Sequence, residues 1–299
     1  MTRTNRFPRA FSALAVAGAL ALGLSACGAD EQETASGEDD APIRIGVVNA
    51  ADDQWTIFEE KADAAGIAVE IIDLGDYTLP NPALTQGELD LNQFQHLQFL
   101  AEYNVNTEED LTPIGATAVY PLSLFSTKHD SVDAIPDGAE IAVPNDPTNL
   151  ARALLVLQEA GLLELADGGS SASTEADVLD SSRVTVTPVD ATQTATNLES
   201  IDGAVVNNDF IQDASLDPEE ALFSDNAESE GARPYINVWV SRSEDKDNET
   251  FLELVEISHD AEVEAALQEA AGGSAFIADQ DAEELAEILA EIEDGLRTS

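Results

Sequence analysis

The chain has 299 residues, of which 60 are Asp or Glu and 12 are Lys or Arg, so its formal net charge is −48. This surplus of negative charge repels nucleic acids and anionic lipid headgroups, which excludes both as ligands. Because 43% of the residues are hydrophobic, the chain can bury the core of one large or two medium domains. The single cysteine, Cys27, excludes an internal disulfide and a four-cysteine zinc site.

The first 26 residues have the organisation of an export signal. Three arginines precede an apolar run from 11 to 24, and the run ends in Leu-Ser-Ala-Cys at 24–27. This order resembles a bacterial lipoprotein signal with its lipobox, in which the cysteine carries the lipid. The sequence predicts a signal peptide at 1–26 and an acylated Cys27, palmitate included, that holds the protein on the outer side of the cell membrane. A plain secretory signal with a chance cysteine is the alternative.

Small, polar and acidic residues follow the cysteine and predict a flexible tether at 27–41. From residue 42 onward, predicted strands and helices alternate. Strands at 43–48 and 68–72 flank a helix at 56–65, which makes a βαβ unit. Further strands are predicted near 89–91 and at 117–125, 140–143, 184–189, 203–206 and 235–240. This alternation indicates an α/β fold with mainly parallel sheets.

Two long extended runs, 116–126 and 234–241, divide the chain into two predicted lobes. The first lobe is discontinuous: residues 42–126 begin it and residues 234–299 complete it. The second lobe consists of residues 127–233. Near the C-terminus, Leu285, Ile288, Leu289 and Ile292 form an amphipathic stripe on a helix predicted at 282–292, which favours packing over partner binding.

The segment 142–161 has the pattern of an anion-binding turn. Asp146 stands at a helix N-cap, Pro147 suits the first helical position, and an apolar run at 150–157 follows. The free N–H groups of a helix start and the guanidinium of Arg152 on the next turn would suit a small carboxylate. A capped helix with a surface arginine is the alternative.

Signatures of several enzyme classes are absent from the sequence. It has neither a Gly-x-Gly-x-x-Gly run after the first strand, nor a Walker loop, nor a Gly-x-Ser-x-Gly elbow. The three histidines, His96, His129 and His259, are too far apart in sequence to form a local metal pair. With 60 acids, any pair of carboxylates is uninformative as an acid–base site. We therefore expect neither a metal nor a cofactor.

Polar and aromatic residues remain at the predicted strand ends, where open α/β sheets bind their ligands. They are Tyr77, Asn92 to His96, Tyr120 before Pro121, Asn207 with Asn208, and Asn237. Taken singly, each of them is as readily a core aromatic, a hydrogen-bonded structural residue or a turn residue. Only their convergence would make a site.

Five short runs together resemble a known family. They are Asn-Gln-Phe-Gln-His (92–96), Ala-Val-Tyr-Pro (118–121), Val-Pro-Asn-Asp-Pro-Thr-Asn-Leu-Ala-Arg (143–152), Val-Val-Asn-Asn (205–208) and Pro-Tyr-Ile-Asn-Val (234–238). Their order and spacing, over roughly 43–275, look like the MetQ/NlpA lipoprotein family, the substrate-binding lipoproteins of methionine ABC importers. The resemblance implies a type II periplasmic-binding-protein fold, in which two α/β lobes joined by two crossing segments hold the ligand in the cleft.

The resemblance also implies a role for individual residues. Arg152 would bind the ligand carboxylate, and Asn149, Asn207 and Asn237 would anchor the amino-acid backbone. The side-chain pocket would consist of Tyr77, Phe94, His96 and Tyr120. The chain departs from the family after its first strand, where Asn49 to Trp55 replaces a common Pro-His pair.

The function expected from the resemblance is that of a monomeric, non-enzymatic receptor. It would capture methionine, as the L-form, the D-form or a close analogue, and deliver it to an ABC permease with its ATPase. One alternative is an enzyme on a similar scaffold, with His96 and a carboxylate as acid and base. Others are a receptor for a different amino acid or a dipeptide, and a surface adhesion or structural protein.

Overall fold

The computed structural model describes residues 41–212 and 214–298, which belong to one compact unit. The strands in these ranges are β1 (Ile43–Val47), β2 (Val69–Asp73), β3 (Leu91–His96), β4 (Thr112–Ala116), β5 (Ala118–Val119), β6 (Ser123–Phe125), β7 (Ala139–Pro144), β8 (Val184–Val189), β9 (Gly203–Val206), β10 (Phe223–Ser224), β11 (Asn237–Ser241) and β12 (Phe276–Ile277). The helices are α1 (Asp53–Ala65), α2 (Pro80–Thr85), α3 (Leu97–Thr107), α4 (Pro147–Glu159), α5 (Thr194–Asn197), α6 (Glu249–Ser258), α7 (Ala261–Ala270) and α8 (Ala282–Thr298). Short 3-10 segments connect them.

The predicted signal peptide, the lipidation at Cys27 and the tether up to residue 40 lie outside the described residues. Within the described ranges, every helix is too short or too polar to cross a bilayer.

The first sheet has the strand order β2-β1-β3-β11-β4. β1 pairs in parallel with β2 and β3, which confirms the predicted βαβ unit. β11 runs antiparallel to β3 and β4, so the prediction of mainly parallel sheets is wrong for this part. The first residue of β11, Asn237, pairs with the last residue of β3, His96. β11 thus enters the sheet at the edge where β3 ends, and it must run in the opposite direction.

The second sheet has the order β10-β6-β9-β7-β8. Like the first sheet, it combines parallel strands with an antiparallel strand that enters after a crossing between the sheets. β7 pairs in parallel with β8 and β9. β6 arrives from the first sheet, and its first residue, Ser123, pairs antiparallel with the last residue of β9, Val206. The pairing therefore assigns β6 to the second sheet, although the boundary predicted after residue 126 places it in the first lobe. The extent of each lobe otherwise stays a prediction.

Two segments cross between the sheets side by side. The extended run predicted at 117–125 is interrupted: β5 and β6 are separated by Tyr120 to Leu122, and the proline between them has no N–H to donate to a ladder. β5 pairs antiparallel with β12 in a two-stranded sheet. The N–H of Thr117 on the first crossing donates to the carbonyl oxygen of Asn237 on the second, at 2.9 Å. This bond ties the two crossings together.

Helix α4 forms where its local sequence predicts. The Oδ1 atom of Asp146 accepts a hydrogen bond from the N–H of Asn149 at 3.0 Å, and Pro147 occupies the first turn. Leu154 and Leu157 face the core of the second lobe with no exposed surface. The chain leaves the helix through Gly161, whose φ of +72° is favourable for glycine.

Helix α8 closes the first lobe. Leu285, Ile288 and Leu289 of the predicted stripe are buried in the same core as α3, which confirms a packing role. The Nδ2 atom of Asn104 on α3 donates to Oε1 of Glu293 on α8 at 3.0 Å. The C-terminal helix thus packs on the helix that follows β3.

Candidate functional site

A cavity with about 380 Å³ of empty space, part of it open to solvent, lies between the two sheets. Its walls include all eight residues that the sequence predicts as ligand contacts: Tyr77, Phe94, His96, Tyr120, Asn149, Arg152, Asn207 and Asn237. The structure thus brings these residues together. Their contact with a ligand stays a prediction.

The ends of the strands explain this convergence. His96 is the last residue of β3, Asn207 follows β9, and Asn237 begins the antiparallel β11. Asn149 and Arg152 lie on the first turns of α4, directly after β7. Because parallel strands end at one edge of a sheet, side chains far apart in sequence meet in the gap between the two sheets.

A chain of hydrogen bonds crosses the cavity from one lobe to the other. The Oδ1 atom of Asn149 lies 3.3 Å from Nε2 of His96 and accepts from Nδ2 of Asn207 at 2.9 Å. The Nδ2 atom of Asn149 donates to Oδ1 of Asp146 at 2.9 Å. Asn207 is only 8% exposed, and its buried Oδ1 has no hydrogen-bond partner among the described residues. A buried acceptor without a partner is costly, so this oxygen is suited to a donor on a ligand.

His96 is neutral in this environment. Burial, followed by the nearby positive charge of Arg152, lowers its pKa to about 3. Its Nδ1 atom accepts from the N–H of Phe99 at 3.1 Å, so the proton is on Nε2, which donates to Asn149. Both ring nitrogens are therefore engaged, and the ring has no lone pair left to accept a proton from a ligand.

Arg152 is held by the protein on two sides. Its Nε donates to Oδ2 of Asp225 and its Nη2 donates to the carbonyl oxygen of Tyr120, both at 2.8 Å. The guanidinium carbon lies 4.1 Å from the ring centroid of Tyr235. Its Nη1 makes no hydrogen bond to a described residue. These contacts fix the plane of the guanidinium against the cavity.

The start of α4 differs from the predicted anion-binding turn. The carboxylate of Asp146 already accepts from the N–H and side chain of Asn149 and from the hydroxyl of Thr148. Burial raises the pKa of Asp146, and these hydrogen bonds oppose the shift. The N–H of Asn149 is thus capped internally, and an anion in the cavity has Arg152 as its cationic partner. The alternative of a surface arginine is also wrong, because Arg152 is 5% exposed.

Aromatic rings form one end of the cavity. The ring centroids of Tyr77 and Phe94 lie 6.1 Å apart, and those of Phe94 and Phe99 lie 5.7 Å apart. Tyr77 also contacts Phe210, with centroids 5.2 Å apart. Phe99 faces the cavity but was not predicted, because it lies on α3 rather than at a strand end.

Asp209 is the functional candidate that the sequence does not reveal. It follows β9, lines the cavity, and accepts a hydrogen bond at 2.6 Å from the hydroxyl of Tyr77 on the other lobe. Burial raises its pKa to about 6, and the hydrogen bond from Tyr77 opposes this shift. Burial, followed by the carboxylates of Asp209 and Asp52, also raises the pKa of Tyr120. A carboxylate is thus placed in the cavity without a cationic partner from the described residues.

Two further groups of side chains support the site. Gln95 lines the cavity and is fixed from behind by a buried amide network with Asn81 and Asn92. The unusual loop after β1 contributes Asn49 and Asp52 to a smaller adjoining cavity, which shares Phe94, Tyr120 and Asn237 with the first. The described residues contain no cluster of three His, Cys, Asp or Glu side chains that could hold a metal ion.

Two α/β lobes, two crossing segments and a polar cavity between the sheets define a type II periplasmic-binding-protein fold. A family model described as NlpA lipoprotein matches residues 43–278, and the chain belongs to this family. The D-methionine-binding lipoprotein MetQ of Escherichia coli K12 is 35% identical over 273 residues, which cover 89% of this chain and 97% of the relative.

Solved structures agree with this assignment. The substrate-binding protein of a methionine transporter from Streptococcus pneumoniae is 33% identical, with a TM-score of 0.74 over 79% of this chain and 95% of its own. A nutrient-binding protein from Burkholderia cenocepacia, solved bound to methionine, is 30% identical, with a TM-score of 0.74 over 79% of this chain and 99% of its own. The predicted family and fold class are thus confirmed.

Proposed function

We propose that this chain is a lipid-anchored receptor that captures methionine outside the cell membrane and delivers it to an ABC permease and its ATPase. The relatives named above are methionine-binding proteins or parts of methionine transporters, which supports this assignment. The proposed anchor is the acylated Cys27.

The observation that carries the proposal is the pair of unused polar atoms in the cavity. The Oδ1 atom of Asn207 lacks a donor, and Nη1 of Arg152 makes no hydrogen bond to a described residue. A free amino acid supplies the complement of both, since its ammonium group donates and its carboxylate accepts. In the proposal, Arg152 binds the carboxylate, while Asn149, Asn207 and Asn237 anchor the backbone.

The side chain of the ligand would lie among Tyr77, Phe94, His96 and Tyr120. Burial raises the pKa of both tyrosines, so their hydroxyls stay protonated, and His96 is neutral. A thioether gains about 0.3 to 1.5 kcal/mol from contact with aromatic rings. We expect these aromatic walls to bind a flexible side chain that contains a thioether.

The alternative of an enzyme requires a general base, and His96 is a poor one. Its Nδ1 lone pair accepts from the N–H of Phe99, and its pKa is lowered to about 3. A base that acts near neutral pH needs a pKa close to 7 and an accessible lone pair. The geometry of His96 therefore supports binding rather than catalysis.

The direct test is the identity of the natural ligand. Protein purified under native conditions is denatured, and the released small molecules are identified by mass spectrometry. Calorimetry on the refolded, ligand-free protein then compares L-methionine with D-methionine, with glutamine and a methionine-containing dipeptide as competitors. We expect methionine to bind most tightly and to be recovered unchanged after incubation. A competitor that displaces methionine at equal concentration would overturn the assignment of methionine as the ligand. A chemical change in methionine would overturn the assignment of the protein as a receptor.

A further inference from the structure

The aromatic end of the cavity has an electrostatic character that a neutral thioether does not use. Tyr77, Phe94 and Phe99 lie with their ring centroids 5.7 to 6.1 Å apart. Aromatic faces carry partial negative charge, and groups of them recognise methylated onium cations. Tyr77 donates its hydroxyl to Asp209, so the carboxylate lies beside this group of rings.

Asp209 strengthens this character because its charge is not balanced. Within the described residues its polar partner is the neutral hydroxyl of Tyr77, and Arg152 is instead paired with Asp225. The raised pKa of Asp209, about 6, reflects the cost of desolvating this carboxylate, although most of it remains ionised near neutral pH. A cationic group beside it would offset that cost.

The α-ammonium group of an amino acid has another acceptor in the cavity. The Oδ1 atom of Asn207 is buried and unpartnered, and it lies in the hydrogen-bonded group with Asn149, the residue one turn before Arg152 on α4. An amino acid whose carboxylate binds Arg152 can thus direct its ammonium to Asn207 and its side chain to the aromatic group. The carboxylate of Asp209 then remains free to bind a positive charge at the end of the ligand's side chain.

We propose that the cavity also binds sulfonium amino acids, with the methylated sulfur cation held by Tyr77, Phe94, Phe99 and the carboxylate of Asp209. This inference rests on the proposed function, because it assumes that an amino-acid backbone binds at Arg152. It names S-methylmethionine, the sulfonium form of methionine, as a second ligand.

The experiment uses two ligands of one shape that differ in charge. S-Methylmethionine ends in a dimethylsulfonium group, and homoleucine ends in the neutral isopropyl group of the same outline. Both are titrated by calorimetry into ligand-free protein at about pH 8 and pH 5, with methionine as reference. The variants are Asp209→Asn, which keeps an acceptor for Tyr77, and the control Asp180→Asn, which removes one exposed carboxylate elsewhere. Circular dichroism verifies the fold of each variant.

We expect the sulfonium to bind the parent protein about tenfold to a hundredfold more tightly than homoleucine at pH 8. This ratio should fall at pH 5, as Asp209 takes up a proton, and in Asp209→Asn, but not in Asp180→Asn. Equal binding of the two ligands overturns the inference, and the proposed function stands if methionine still binds. If Asp209→Asn weakens all three ligands equally, the carboxylate binds the α-ammonium group and the inference is also overturned. If methionine does not bind the parent protein, the proposed function itself is overturned.

Discussion

Replacement of Arg152 by alanine tests the centre of the proposed site. The substitution removes the proposed partner of the ligand carboxylate, so the cost of desolvating that carboxylate is no longer offset. We expect methionine binding to weaken by about 2 to 5 kcal/mol, which is roughly thirtyfold to several thousandfold in Kd. Arg152→Lys should retain only part of the parent's affinity for methionine, since an ammonium group cannot donate the planar pair of hydrogen bonds that a guanidinium donates.

The same substitution has a second effect that the structure makes explicit. Asp225, with 18% of its side chain exposed, loses its cationic partner, and the carbonyl oxygen of Tyr120 loses its donor. Leaving one member of a buried ion pair alone costs about 3 to 5 kcal/mol of folding stability. The Tm of ligand-free Arg152→Ala should therefore fall, and binding must be measured well below it.

A matched control separates the two effects. Arg183 makes the same kind of contacts as Arg152, to the carboxylate of Asp137 at 3.2 Å and the carbonyl oxygen of Ile135 at 2.7 Å, but away from the cavity. Arg183→Ala should change stability slightly and leave the Kd of methionine unaltered by calorimetry. A Kd for Arg152→Ala within about threefold of the parent, well under the tenfold that 1.4 kcal/mol represents, would refute the role of Arg152 in carboxylate binding.

Three other predictions test the anchor, the pocket and Asp209. Cys27→Ser should release the protein from membranes, and fractionation identical to the parent would disprove the anchor. In competition assays, the affinity for norleucine should lie within about one to two orders of magnitude of that for methionine. Leucine and glutamate should bind far more weakly, because the branch of leucine clashes and the side-chain carboxylate of glutamate loses its water. Tight binding of glutamate would contradict the proposed pocket. The pKa of Asp209, raised to about 6, means that the folded chain binds a proton more readily than the unfolded chain. The contribution of Asp209 to stability is therefore greatest below about pH 4, and up to about 3 kcal/mol of it is lost as the pH rises to 6. Because Asp209→Asn cannot lose this proton, its Tm relative to that of the parent should increase over that range. A constant difference in Tm would contradict the assigned pKa.

The sequence predicts those cavity residues that lie at or next to the ends of strands. His96, Asn207 and Asn237 adjoin recognisable strands, and the edge of a sheet brings such positions together whatever their distance along the chain. Family resemblance then selected the same residues. Asp209 was not predictable, because it is one of 60 acids and its partner, Tyr77, lies 132 residues away.

Local signals predicted elements better than pairings. The cap and proline at the start of α4 were sufficient to place the helix, and β8 and β9 have the predicted bounds. The direction of β11 depends on which edge of the sheet the chain enters after crossing, which no local pattern encodes. The N-cap role of Asp146 was also predicted, and its Oδ1 atom accepts from the N–H of Asn149 as an N-cap side chain should.

The position of β11 between β3 and β4 in the first sheet also has a consequence for how the chain folds. Residues 123–224 supply every strand of the second sheet, so that sheet can form from one continuous segment. The first sheet leaves the edges of β3 and β4 unpaired until residues 237–241 are available. In addition, α8 must still reach α3, although Asn104 and Glu293 are 189 positions apart in sequence. Contacts at such separation form slowly, and open strand edges meanwhile attract other chains. A truncation before residue 237 should therefore yield an aggregating first lobe beside a folded second one.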